Sequence, residues 1–118
     1  MKIKITIKIL GHLIFSTMII VSCRNKAKDI QLTDLKTNCD IVEAWEVVFD
    51  EEISIIGDKS FEDISDEESI KIGLLELKIT EISGAGSKFF SWEEAKKCFG
   101  FKRMWKKANK VGSLITWP

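Results

Sequence analysis

Between residues 35 and 56 the apolar side chains return at helical spacing, and no other pattern in the chain constrains the fold as tightly. At about 100° per residue, Leu35, Cys39, Ile41, Val42, Trp45, Val48, Phe49, Ile53 and Ile56 share one broad arc. Lys36, Asp40, Glu43, Asp50 and Ser54 share the other. Val47 on the polar side breaks the pattern, as do Glu46 and Glu52 near the apolar edges. β-Branched residues are plentiful here, but a strand of this length would be unusual, so a helix is expected. Thr33 is placed to cap its start and Gly57-Asp58 to stop it. At 118 residues the chain has room for one domain.

Beyond this helix, residues 61–69 form an acidic link, and Ser65-Asp66-Glu67-Glu68 reads as a capping box for the next element. Residues 70–83 carry two patterns at once. Ile72, Leu75, Ile79 and Ile82 make a helical stripe, whereas Ile70, Ile72 and Leu74, then Leu75, Leu77 and Ile79, alternate as a strand would. The cap ahead and the stops at Gly84 and Gly86 favour helix. A second box, Ser91-Trp92-Glu93-Glu94, opens a third element whose residues Trp92, Ala95, Cys98 and Phe99 share a face. After Gly100 the apolar set Phe101, Met104, Trp105, Ala108 and Val111 lies on a face turned well away from the first. One straight helix cannot easily bury both, so a break is expected at Gly100, where a helical glycine costs about 1 kcal/mol relative to alanine. The expected fold is all-α: a small three-helix bundle with the third helix broken near Gly100. The alternative is an α+β fold with residues 70–82 as a strand. Residues 112–118 show no clear pattern; Leu114, Ile115 and Trp117 either pack or fray.

The first eight residues alternate Lys2, Lys4 and Lys8 with Ile and Thr and hold no acid. The apolar run Ile9–Val21 follows, interrupted only by Gly11, His12, Ser16 and Thr17. Its 13 residues fall short of the roughly 20 needed to cross a bilayer but fit the apolar core of a secretory leader. It ends in Ile20-Val21-Ser22-Cys23, which resembles the lipobox of bacterial lipoproteins: a branched apolar residue, a tolerant position, a small residue, then Cys. The resemblance implies that cleavage falls between Ser22 and Cys23. It also implies that the Cys23 thiol accepts diacylglycerol and that the freed amine usually takes a third acyl chain. One acyl chain holds a protein to a membrane only marginally, whereas two or more hold it stably. The expected organisation is a signal peptide at 1–22, a tether at 23–31, a helical domain at 32–111 and a tail at 112–118. Residue 24 is Arg, not the Asp that serves in some such lipoproteins as an inner-membrane retention signal, so the cell envelope, at the outer membrane, is the expected location.

With Cys23 acylated, Cys39 and Cys98 remain in a compartment that oxidises thiols. In an up-down-up bundle the first and third helices run parallel. Cys39 lies six residues past Thr33 and Cys98 seven past Ser91, so both stand at nearly the same height, at about 1.5 Å per residue. A structural disulfide is expected, worth roughly 3–5 kcal/mol in the chain-entropy account; two separate buried thiols are the alternative. With no Cys-x-x-Cys, a redox-active pair is not expected.

The formal charge of zero conceals a leader that is purely basic and a mature part with 15 basic and 18 acidic residues. Without a basic surplus, no nucleic-acid partner is expected. The one histidine, His12, leaves with the leader, and the chain has no tyrosine, nucleophile elbow, P-loop or dinucleotide fingerprint. No enzymatic activity is expected, and no cofactor beyond the lipid on Cys23. Around the acidic link, Asp58, Ser60, Glu62 and Asp66 fall at calcium-loop spacing. Asp63 stands where such a loop needs Gly, however, and Ser69 where it needs Glu, so no metal site is expected.

Charge is segregated along the mature chain. Residues 40–82 hold 14 acids and 3 bases, whereas residues 88–110 hold 8 bases and 2 acids. Lys102, Arg103, Lys106, Lys107 and Lys110 lie opposite Phe101, Met104 and Trp105. Such a helix either lies on anionic lipid or completes the core with its bases facing water and the acids of the first helix. The tryptophans Trp45, Trp92, Trp105 and Trp117 suit a small core, or an interface where aromatic anchors dominate. With Asn38-Cys39-Asp40 early and Glu94-Ala95-Lys96-Lys97-Cys98 late, the mature part is similar to the small, helical, two-cysteine lipoproteins of Gram-negative bacteria, a likeness that implies no activity. The functional expectation is a membrane-anchored lipoprotein whose helical domain is a binding or envelope-structural module for another envelope protein. The alternative is a membrane-surface module working through the basic helix.

Overall fold

Thr37, not Thr33, starts the first helix. In the computed structural model, which describes residues 26–112, helix α1 spans Asn38–Ile56. The Thr37 side chain accepts from the Asp40 N–H at 3.1 Å, while the Asp40 carboxylate accepts from the N–H groups of Lys36 and Thr37 at 2.9 and 3.0 Å. These donors, that of Lys36 foremost, hold the Asp40 carboxyl below its usual range against the opposing effect of burial. Thr33 instead sits in a single 3-10 turn, Leu32–Asp34. At its far end α1 stops on Gly57, whose φ of 54° suits a residue without a side chain.

Helix α2, Asp66–Ala85, carries the reciprocal Ser65–Glu68 capping box and settles the two-pattern stretch as helix; no strand occurs among the described residues. The third element divides further than expected. Helix α3 is one turn, Trp92–Ala95; residues 96–100 are turns, and helix α4 spans Phe101–Val111 with Gly100 as its N-cap. The five intervening residues provide the rotation that the two apolar faces demand. Ala95 and Cys98 reach the core on one side of the break, and Met104 and Ala108 on the other.

The fold is all-α among the described residues, and its core is centred on α1. Ile41, Val42, Trp45, Val48 and Phe49 meet Leu75, Ile79 and Ile82 of α2, with Ala95, Met104 and Ala108 completing the cluster. Trp45, Phe90 and Trp92 form an aromatic triangle with centroids 4.7–5.5 Å apart. Helix α2 runs antiparallel to α1. Lys59, just past the end of α1, pairs with Glu68 at the start of α2, while Ile41 lies against Gly86 at the far end. Helix α4 runs parallel to α1: Glu46 faces Arg103, Asp50 faces Lys107, and Ile53 and Ile56 share a hollow with Lys110 and Val111.

The segment expected as a tether is structured from residue 26 onward. Ala27–Asp29 forms a 3-10 turn with Ala27 buried and its N–H donated to the Glu51 carboxylate. Ile30, Leu32 and Leu35 pack against the core, and Lys78 of α2 donates to the Ile30 carbonyl at 3.3 Å. Residues 26–36 thus run back along α1, from beside Glu51 toward its start.

Candidate binding groove

Helix α4 is held at its root. Cys39 in the first turn of α1 and Cys98 in the turn before α4 form a disulfide, with 5.5 Å between their Cα atoms. Both lie near the start of α1, but the equal-height argument from Thr33 does not hold: Cys39 is two residues past the true N-cap, and Cys98 lies outside any helix. A second tie lies alongside. The Ser91 side chain accepts from Glu94 N–H at 3.4 Å, while the Ser91 N–H donates not to Glu94 but to Asn38 Oδ1 at 2.7 Å. Half of the expected second capping box is therefore supplied by α1.

From this root the basic residues of α4 divide. Arg103 donates to Glu46 through Nε at 2.6 Å and through Nη2 at 3.2 Å. Lys107 Nζ bridges Glu46 at 2.7 Å and Asp50 at 2.8 Å. Burial alone would raise the Glu46 pKa, but the hydrogen bonds and charges of Arg103 and Lys107 outweigh it and hold the carboxyl below its ordinary value. Lys107 is shifted upward: burial disfavours its charge, and Asp50 and Glu46 more than restore it. Gly100 makes room for this arrangement, since a Cβ there would stand 3.0 Å from Arg103 Nη2 and 3.3 Å from Glu46 Oε1. Lys102, Lys106 and Lys110 remain exposed. On the opposite side of α4, Met104 and Ala108 are buried, and Phe101 stacks on Trp105 at 6.3 Å.

Asp50, Ile53, Arg103, Lys106, Lys107, Asn109 and Lys110 line an open groove of about 740 Å³ beside α4. Four cations and one carboxylate surround an isoleucine wall, and two of the cations already have acidic partners. Such a surface is chemically suited to an acidic segment with an apolar residue, bound by ion pairs on the rim and apolar contact at the wall.

The other flank of α1 holds a different arrangement. Glu52 is 1 % exposed and shares a hydrogen bond with Glu76 of α2. Burial, then that hydrogen bond and the neighbouring charge, push the Glu52 pKa up to about 9, so this carboxyl is protonated at neutral pH. The sequence marks Glu46 and Glu52 as exceptions on the apolar edge of the helix, and they are the two buried charged residues among those described. It allows for the bases of the last helix facing water and the acids of the first, as Arg103 and Lys107 do, but it does not single out Glu46 as their acid or a second glutamate as the partner of Glu52.

Ser22 and Cys23 lie outside the described residues, as does Trp117. In the acidic link, Ser60 donates to Asp63 at 2.9 Å and Lys59 pairs with Glu68; no group of three or more metal-ligating side chains converges among the described residues. None of the described helices is long and apolar enough to cross a membrane. Comparison with protein-family models, curated proteins and solved structures returns no match.

Proposed function

We propose that this chain is a lipid-anchored envelope protein without catalytic activity, whose disulfide-stapled helical domain binds an acidic segment of another envelope protein. The anchor reading rests on the basic leader, the short apolar run and the Ile20-Val21-Ser22-Cys23 lipobox, with diacylglycerol and an N-acyl chain on Cys23 and the outer membrane as the site of residence. The observation that carries the binding role is the groove beside α4, where Lys106 and Lys110 flank the Ile53 wall and stay exposed while Arg103 and Lys107 are fixed on α1.

A photo-crosslinking residue placed at Asn109 in cells tests this directly. The expected result is one discrete protein adduct, lost when Lys106 and Lys110 are both changed to Glu and weakened by raised salt in extracts. Recovery of phospholipid alone from Asn109 would contradict it. The alternative use of α4, flat on anionic lipid, has less support. Such a helix inserts its apolar side, and here Met104 and Ala108 of that side are buried in the core.

A further inference from the structure

We infer that the end of the domain where α1 stops and α2 begins lies directly against the bilayer, with Phe61 and the outer stripe of α2 touching lipid. The inference rests on the anchor reading above and concerns the outer side of α2, which lines no part of the groove, although Ile53 and Lys110 of the groove lie toward the same end of the domain. Its first support is reach. Ala27 is buried and bonded to Glu51, so only residues 24–26 separate an acylated Cys23 from a fixed point on the domain. Fully extended, the four steps from Cys23 to Ala27 span at most about 14 Å. A domain several helices thick on so short a connection must rest on the membrane at the side from which the connection leaves.

The second support is direction. Residues 36 back to 26 run along α1 toward its C-terminal half, since Leu35 shares a hollow with Asp40 and Glu43, and Ala27 bonds Glu51. The anchor therefore approaches the end of α1 away from the disulfide. Because α2 is antiparallel, its first half lies at that same end, and Lys78, reaching the Ile30 carbonyl, places the N-terminal segment along its flank.

The third support is the surface found there. Helix α2 is apolar on two opposite sides: Leu75, Ile79 and Ile82 face α1, while Ile70, Leu74 and Leu77 are 66, 62 and 55 % exposed. Phe61, 92 % exposed, stands in the link just ahead of α2. Of the five exposed large apolar residues among those described, Phe61, Ile70 and Leu74 are at the anchor end, Leu77 is near the middle of α2, and Phe99 is at the disulfide end. A helix with a second apolar stripe opposite its core face ordinarily has a neighbour on that side too, and the membrane brought up by the anchor provides it. The same stretch fixes the kind of lipid. Residues 58–68 carry six acids and one base, and although Lys110 of α4 joins Lys59 at this end beside Asp58, the acids still outnumber the cations there, so a zwitterionic surface fits better than an anionic one.

The test uses the natively lipidated full protein reconstituted in phosphatidylcholine vesicles, with benzoylphenylalanine at Phe61, Leu74 or Phe99 in separate preparations. Intact mass confirms acylation first, so failure of the anchor reading is seen independently. Phospholipid adducts are expected at positions 61 and 74 and not at 99. Their yield should fall when phosphatidylglycerol is mixed into the vesicles, and severalfold when a flexible Gly/Ser insert of about twenty residues separates Asn25 from Lys26. Equal adducts at all three positions, none at 61 and 74, adducts to a second protein copy there instead, or yields unmoved by the insertion would each overturn the inference in an acylated protein.

Discussion

Helix α1 buries two glutamates less than two turns apart, and its two flanks accommodate them in opposite ways. Glu46 faces α4 and accepts three hydrogen bonds from Arg103 and Lys107. Glu52 faces α2 and meets another carboxyl, Glu76. A buried charge that is paired and hydrogen-bonded stays ionised; a buried acid facing an acid keeps its proton. The two interfaces therefore respond to pH with opposite sign. The Glu46 pKa is lowered in the fold, so its contribution is present above the ordinary carboxylate range and is lost as pH falls through the folded value. Glu52 is raised from the ordinary glutamate range to about 9. It costs nothing below the unfolded value; between the two values the unfolded chain releases a proton the folded one retains, and stability declines as pH rises. Acid loosens the α4 flank, whereas the α2 flank loses stability progressively as pH rises from the ordinary glutamate value to about 9.

The largest expected effect removes the covalent half of the α4 flank. Changing Cys39 and Cys98 together to Ser opens a link across 59 residues and should cost about 4 kcal/mol in denaturant titration. Amide exchange should rise more over residues 101–111 than over 66–85, and an equal rise in both would remove the distinction between flanks. Next, Glu46→Ala should cost about 1–2 kcal/mol at pH 7, because it removes a mostly buried, multiply bonded carboxylate while the half-exposed Arg103 can turn to water. The cost should shrink toward pH 3, where the wild-type carboxylate is itself being protonated. Glu52→Gln has the opposite sign. It keeps a hydrogen-bond donor for Glu76 while abolishing ionisation, so it should stabilise by about 1–2 kcal/mol at pH 8, with the gain vanishing at pH 4. A destabilised variant at pH 8 would show that Glu52 is charged in the fold. The smallest effect belongs to Trp45→Phe, at about 1 kcal/mol or less by thermal melting. The lost indole volume is offset because Trp45 Nε1 is buried with no hydrogen-bond partner among the described residues.

The same two flanks show what the sequence could disclose. Helical periodicity placed α1 and identified its apolar arc, because one wide face of a helix buried in a small core leaves a clear repeat. It identified α2 less clearly: Ile70, Leu74 and Leu77 lie outside as well as Leu75, Ile79 and Ile82 inside, so no single face dominates. The capping box at Ser65–Glu68 decided in favour of helix, and the structure agrees. The cap of α1 was misplaced, since Thr37-Asn38-Cys39-Asp40 makes its reciprocal bonds through an Asp where the usual pattern carries Glu or Gln. The Cys39–Cys98 pairing was legible by elimination once Cys23 was set aside for lipid, although the geometry that achieves it is a turn and not two level helices. For the groove, the five basic positions could be named, but their division into fixed Arg103 and Lys107 and exposed Lys102, Lys106 and Lys110 depends on how α4 rotates against α1. Only packing determines that.

The proposed oxidising compartment and the membrane contact through the short connection at Ala27 both depend on lipid at Cys23. Intact-mass measurement of the protein extracted from membranes without reductant is the most direct check. The expected species is a chain beginning at Cys23, heavier by a diacylglyceryl group and a further acyl chain, and lighter by two hydrogens for the disulfide. A chain still starting at Met1, with no added mass at position 23, would contradict it.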